Sequence, residues 1–259
     1  MRKKIIFMDL DGTIIDHSIN AVPKNTLKTI QHLKAQGHTL VIATGRPPCL
    51  FYDIDQTLNI DTYIAANGRY VKYKGKEIYA DYIDSLIMNR FVTDMIEQKI
   101  EVGFEAVNVY AIHEILTDLP RKFSEYYHLD MPVEIENFHL YNKVLQMVIF
   151  YDKKDYTHIS KKYPMLELNI SCPYGIDINN RGGMKEVGMG KILNILDFEK
   201  EDVIAIGDGF NDISMIEAAG FGIAMGNGCQ PLKDKADYIT DNCSHDGFYK
   251  AFKHLGMIK

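Results

Sequence analysis

Two pairs of acids stand out for their type and spacing. The first is Asp9 and Asp11 in Met8-Asp9-Leu10-Asp11-Gly12-Thr13, directly after the apolar run Ile5-Ile6-Phe7-Met8. Acids one residue apart on an extended chain lie on the same side, and Gly12 lets the backbone turn away. The second is Asp208 and Asp212 in Gly207-Asp208-Gly209-Phe210-Asn211-Asp212, directly after Val203-Ile204-Ala205-Ile206. Taken singly, each reads equally well as a polar turn or a helix cap. In a parallel sheet, however, ligands gather at the carboxyl ends of strands, so the two motifs are expected to meet. Carboxylates within a few ångströms disfavour one another's ionised form. A hard divalent cation relieves that repulsion, and oxygen-only ligation suits Mg2+.

Two further pieces suit a phosphate. Ala43-Thr44-Gly45-Arg46 ends a third apolar run, and a Thr hydroxyl with nearby backbone N–H groups can hold phosphoryl oxygens. Lys185 opens the helical stretch that precedes the second acidic motif. Arg46, Asn67 and Asn211 are candidate substrate contacts.

These residues need a frame. Ile5–Met8, Leu40–Ala43 and 62–66 read as strands covered on both faces. Leu27, Ile30 and Leu33 recur at helical spacing up to Gly37, and a helix is expected over about 48–58. Alternating strands and helices imply a parallel α/β sheet, with a hairpin at 70–80. The alternation resumes in the last third, with helices near 184–197, 211–219 and 246–255 and strands near 203–206 and 221–224. The stretch 82–184 reads differently, as a long helix (84–100), strands near 102–107, 144–151, 165–170 and 174–179, and a helix near 154–162. Leu119-Pro120, Met131-Pro132 and Asn137 suggest loops. The expected fold class is α/β, a Rossmann-like three-layer parallel-sheet core with an inserted α+β cap. Its domains are 1–81 with 185–259 (core) and 82–184 (insert).

The chain has 259 residues, 46% hydrophobic and 25% charged, with a net charge of −6. That composition is globular, and the acidic balance argues against nucleic acid and anionic membrane as partners. Residues 82–184 hold 10 basic and 15 acidic residues, a net of −5, so nearly all the excess acid sits in the insert. No apolar run reaches a membrane span, and four cysteines without a CxxC pair read as reduced thiols, hence a cytoplasmic protein. His113-Glu-Ile-Leu-Thr117 lacks the second histidine of a zinc-protease motif.

Taken in order, DLDGT at 9–13, TGR at 44–46, Lys185 and GDGFND at 207–212 resemble the haloacid dehalogenase superfamily. With the α+β insert between the second and third motifs, the chain is most similar to the Cof-like subclass IIB phosphatases. Asn67-Gly68, Ala224–Asn227 and the 236–240 stretch look like that subclass too. The resemblance implies that Asp9 is the nucleophile and Asp11 the acid/base. It implies that Thr44 and Lys185 bind the phosphoryl oxygens. Asp9, the Asp11 carbonyl and Asp208 would hold Mg2+, with Asp212 and Asn211 in support. The related ion-pumping ATPases carry Thr at the position of Asp11, so the resemblance favours a phosphatase of small phosphate esters, sugar phosphates foremost. A phosphomutase or phosphotransferase using the same nucleophile, and a non-catalytic phosphate-binding regulator, stay open. Arg69 and the glycine-rich 182–190 stretch depart from the family pattern.

Overall fold

A computed structural model describes residues 2–152 and 155–258. The chain divides into two compact units, Met1–Gly45 with Asp53–Tyr79 and Met184–Lys259, and Arg46–Tyr52 with Ala80–Gly183.

The first unit is built on a sheet in the order Tyr238–Ile239, Phe221–Ala224, Val203–Gly207, Ile5–Met8, Thr39–Ala43, Tyr63–Ala65, Tyr70–Tyr73, Lys76–Ala80. The first six strands are parallel to their neighbours, and Tyr70–Tyr73 turns back antiparallel. The central strands are buried along their whole length, as unbroken apolar runs require when both faces are covered. Ile5 and Phe7 pack with Met189, Ile192, Met215 and Ile216, from helices Lys185–Leu193 and Ile213–Ala218. The alternate residues Ile6 and Met8 are equally buried. Helix Lys24–Ala35 packs on the final helix, Gly247–His254.

The second unit has a sheet in the order Leu166–Cys172, Gly175–Asn180, Gln146–Phe150, Glu101–Glu105, Tyr110–Ile112, Val133–Glu134. Only the last pair is parallel. One face packs Val102, Phe104, Met147, Ile149, Ile176 and Ile178 under helix Ser85–Glu97. That helix starts at Asp84, whose carboxylate accepts from Leu86 N and Ile87 N, the usual way of satisfying its first donors.

Two expectations are corrected. The helix expected over 48–58 is a 3-10 turn, Pro48–Leu50, and a separate helix, Ile54–Leu58. Tyr52 and Asp53 lie between them in the left-handed region, at φ 47° and 60°, which a continuous helix cannot contain. The loop expected at Leu119-Pro120 opens a helix, Leu119–Tyr127, because proline in a first turn gives up only a donor that has no helical partner. Asn137 lies in a turn, as expected, ahead of a short helix, Phe138–Tyr141. The strand Tyr110–Ile112 has three residues, too few to show a period. The helix near 162 spans Thr157–Lys162, and its expected start at 154 lies outside the described residues. Among the described residues no helix is long and apolar enough to cross a membrane.

Candidate active site

Strand register brings the sequence motifs to one end of the first unit's sheet. Met8 pairs with Ile206 on one side and Ile42 on the other, so Asp9, Asp208 and Thr44 leave three adjacent strands at their carboxyl ends. The ladder runs to the edge of the site, with Asp9 N donating to Ile206 O (3.0 Å) and Thr44 N to Ile64 O (2.9 Å).

Lys185, the first residue of its helix, is wholly buried. Its Nζ donates to Asp9 Oδ1 at 2.5 Å and to Asp212 Oδ1 at 2.6 Å. The other Asp212 oxygen accepts from the backbone N–H groups of Asp208 and Gly209, each at 2.9 Å. Asp212 therefore ties the lysine to the loop that carries Asp208. Asp208 is held in turn by Thr13 Oγ1 (3.1 Å) and by Asn227 Nδ2 (3.0 Å). Gly12 completes the packing: it sits at φ +76°, and a Cβ there would lie 2.2 Å from Asp208 Oδ2.

Asp9, Asp208 and Asp212 each offer an oxygen within 4.8 Å of the others. Burial, and then the Asp212 charge, push the Asp9 carboxyl well above the usual range against the pull of Lys185. Asp208 is pushed up to about 6 by burial and then by Asp212. Burial works against the charge on Lys185, but Asp212 and Asp9 outweigh it and hold the ammonium above its ordinary pKa. Three carboxylates and one ammonium leave a formal charge of −2. An all-oxygen donor set with that deficit fits a hard dication.

Asp11 follows on the same loop with its side chain one-third exposed, Oδ1 lying 3.8 Å from His17 Nε2. Asn67 and Asn211 are brought together, Asn211 Nδ2 donating to Asn67 Oδ1 at 2.9 Å. Asn67 lies in a turn, Ala66-Asn67-Gly68, whose three residues all have positive φ. Gly68 has a packing role there: a Cβ on it would stand 2.1 Å from Met184 O, so the turn seats the residue just before Lys185. Gly188, one helical turn on, would clash with Ile64 and Gly68 if it carried a Cβ. That accounts for part of the glycine-rich departure. Arg69 is buried, with Nη1 donating to Ala66 O at 3.4 Å. Arg46 belongs to the second unit, where its Nη1 donates to Leu50 O at 3.4 Å.

Asn227 was legible only as part of the Ala224–Asn227 stretch, with no role attached. It donates to Asp208 and to Gly12 O (2.9 Å) and accepts from Cys243 N (2.8 Å). An Asn shortly after a buried strand in the same sheet was the available signal.

A parallel α/β core with carboxylates and a buried lysine at its strand ends is the arrangement of a phosphoryl-processing hydrolase. The chain belongs to the haloacid dehalogenase-like hydrolases, whose family profile matches residues 6–252. The Bacillus subtilis protein YkrA is 34% identical over 262 residues, covering 100% of both chains. A second Bacillus subtilis relative, named 5-amino-6-(5-phospho-D-ribitylamino)uracil phosphatase YcsE, is 30% identical over 97% of this chain and 95% of its own. The solved structure of BT4131, named as a HAD subclass IIB sugar phosphatase, superposes with a TM-score of 0.82 at 27% identity. It covers 99% of this chain and 100% of its own. The chain is an enzyme of the phosphoric monoester hydrolase class.

Proposed function

We propose that this enzyme hydrolyses small phosphate monoesters, sugar phosphates or related compounds, with Mg2+ and through an aspartyl-phosphate formed on Asp9. The catalytic domain in this reading is 1–81 with 185–259, and 82–184 is the insert. What supports it most is the Lys185 ammonium set between Asp9 and Asp212, 2.5 and 2.6 Å away, beside a third carboxylate.

A carboxylate attacking a phosphomonoester dianion meets like charge, so positive groups must lie on the phosphoryl oxygens before attack. Lys185 supplies one, and the Thr44 hydroxyl and backbone N–H groups at the strand ends supply hydrogen bonds. Asp9, Asp208 and the Asp11 carbonyl would hold Mg2+, with Asp212 fixing the Asp208 loop. The ion, when bound, neutralises phosphoryl charge and orients the ester. Asp9 attacks phosphorus and becomes the acyl phosphate. Asp11 gives its proton to the departing alcohol and then takes one from the water that attacks the intermediate. Dividing hydrolysis this way replaces one difficult step with two easier ones. Asn67 and Asn211, hydrogen-bonded to each other, would contact the substrate, and Arg46 is a further candidate for that role. The setting is cytoplasmic.

The test is phosphate release from a panel of phosphate esters, with Mg2+ and after chelation. Release that needs the metal is expected; no release, or release indifferent to chelation, contradicts the reading. Following isomer formation on a hexose phosphate separates hydrolysis from mutase chemistry.

A further inference from the structure

Asn227 is an exposed residue, yet its amide joins three separate stretches of the first unit. Nδ2 donates to Asp208 Oδ2 at 3.0 Å and to Gly12 O at 2.9 Å, and Oδ1 accepts from Cys243 N at 2.8 Å. A carbonyl can only accept and a backbone N–H can only donate, so the two main-chain partners fix which end of the amide faces Asp208. Both amide hydrogens are thereby used.

The backbone that carries this amide is held from both sides. Strand Phe221–Ala224 lies beside Val203–Gly207, with Ala224 opposite Gly207. Beyond it, Met225 N donates to Gly207 O and Cys229 N to Asp208 O, each at 2.9 Å. Gly226 N donates to Asp241 O at 3.0 Å, and the 3-10 turn that follows, Cys243–His245, supplies Cys243 N. Asn227 sits midway between two backbone anchors on the Asp208 loop, so its side chain is directed at that carboxylate.

For Asp208 the result is a carboxylate pinned at both oxygens. Thr13 Oγ1 donates to Oδ1 at 3.1 Å and Asn227 Nδ2 to Oδ2, while Oδ2 also lies close against Gly12. Such a group cannot turn about its Cβ–Cγ bond without losing a hydrogen bond. That rigidity discriminates between dications of equal charge. Mg2+ demands a near-ideal octahedron with short bonds, whereas Ca2+ accepts more oxygens at longer and more variable distances, often both oxygens of one carboxylate.

We propose that Asn227 is a positioning residue that makes the site select Mg2+ over Ca2+, by holding Asp208 in one orientation between the loop at Gly12 and the turn at Cys243. The inference rests on the reading above in which Asp208 holds the ion. Asn227 acts through Asp208 and not by contact with the ion or the ester.

The test is metal binding by the full-length protein without substrate. Mn2+ added to the metal-free enzyme is followed through the electron paramagnetic resonance of the unbound ion, then displaced with Mg2+ and, separately, with Ca2+, which gives both dissociation constants. Partners that orient a metal ligand are worth about 10–100-fold in affinity. Asn227→Ala should weaken Mg2+ by about tenfold or more and Ca2+ far less, so the ratio of the Ca2+ to the Mg2+ dissociation constant should fall by about tenfold. Asn227→Asp keeps the size of the side chain but puts an acceptor where the donor was, and the ratio should fall at least as far. A ratio taken on one preparation does not depend on how much of it is folded. General loosening of the structure would weaken both ions alike. A ratio equal to that of the wild type therefore overturns the proposal. A wild type that holds no Mn2+ overturns the metal site and the proposal together. A wild type that binds Mn2+ but releases phosphate from no ester counts against the phosphatase reading alone, and the ratio still decides the role of Asn227.

Discussion

The Lys185 ammonium reaches Asp9 at 2.5 Å although the two residues are 176 positions apart in the chain. The contact forms because the strand ending at Met8 and the helix opening at Lys185 belong to one packed core, where Phe7 and Met189 share a cluster. The same core therefore delivers a cation and a carboxylate to the same point without solvent between them.

Removing that lysine should be costly. Lys185→Met leaves Asp9 and Asp212 buried without their cation, and breaking a buried pair by deleting one partner costs about 3–5 kcal/mol. Urea unfolding in the absence of divalent metal should show that loss, with phosphate release falling below detection. A variant of wild-type stability would mean that the lysine is not a structural counter-ion.

Gly12 carries a positive φ and sits against Asp208 Oδ2. Gly12→Ala is expected to lose about 1–3 kcal/mol through backbone strain and to push the Asp208 carboxylate aside. The Mg2+ concentration needed for half-maximal activity should rise severalfold. An unchanged metal requirement would show that Asp208 is not a ligand.

Asp11 acts on the leaving group, so its importance should depend on how readily that group departs. Asp11→Asn is expected to lower kcat for an alkyl phosphate by about 10²–10⁴-fold and to affect p-nitrophenyl phosphate far less, since nitrophenolate leaves without protonation. Equal losses on both esters would argue against an acid at this position.

The second unit should carry its own pH signature. Asp177 keeps its proton in the folded state up to about pH 7, well above the usual carboxylate value. A carboxyl raised on folding contributes stability that is complete below its unfolded pKa and lost as pH rises through the folded one. Asp177→Asn removes that loss. Between pH 5 and 8 its melting temperature should gain a few degrees on the wild type, and parallel pH curves would contradict the assignment.

Much of the first unit was legible because its strands are short unbroken apolar runs with the acids directly behind them, as at Met8-Asp9 and Gly207-Asp208. Periodicity carries no information about which side chains close on one another across the sheet. The Asn227 bridge from Asp208 to Gly12 O and the seating of Met184 against Gly68 depend on close approaches that no spacing rule encodes. The segment 46–52 follows the second unit because Leu50 packs with Phe123 and Phe150, a long-range contact invisible in a helix-like stretch. Nothing in sequence spacing sets Glu105, Gln146 and Asp177 apart from other polar residues of the insert. Only the register shows that they share one face of the sheet.

The most direct measurement is acid-quenched single turnover with a phosphate ester labelled in its phosphoryl group, comparing the wild type with Asp9→Asn in Mg2+. Burial already disfavours the Asp9 charge, so the asparagine variant should fold at least as stably and differ in chemistry alone. Label is expected on the peptide containing Asp9 in the wild type, with turnover by the variant reduced by about 10³-fold or more. A variant that turns over at the wild-type rate, or label carried on a different residue, would contradict the account.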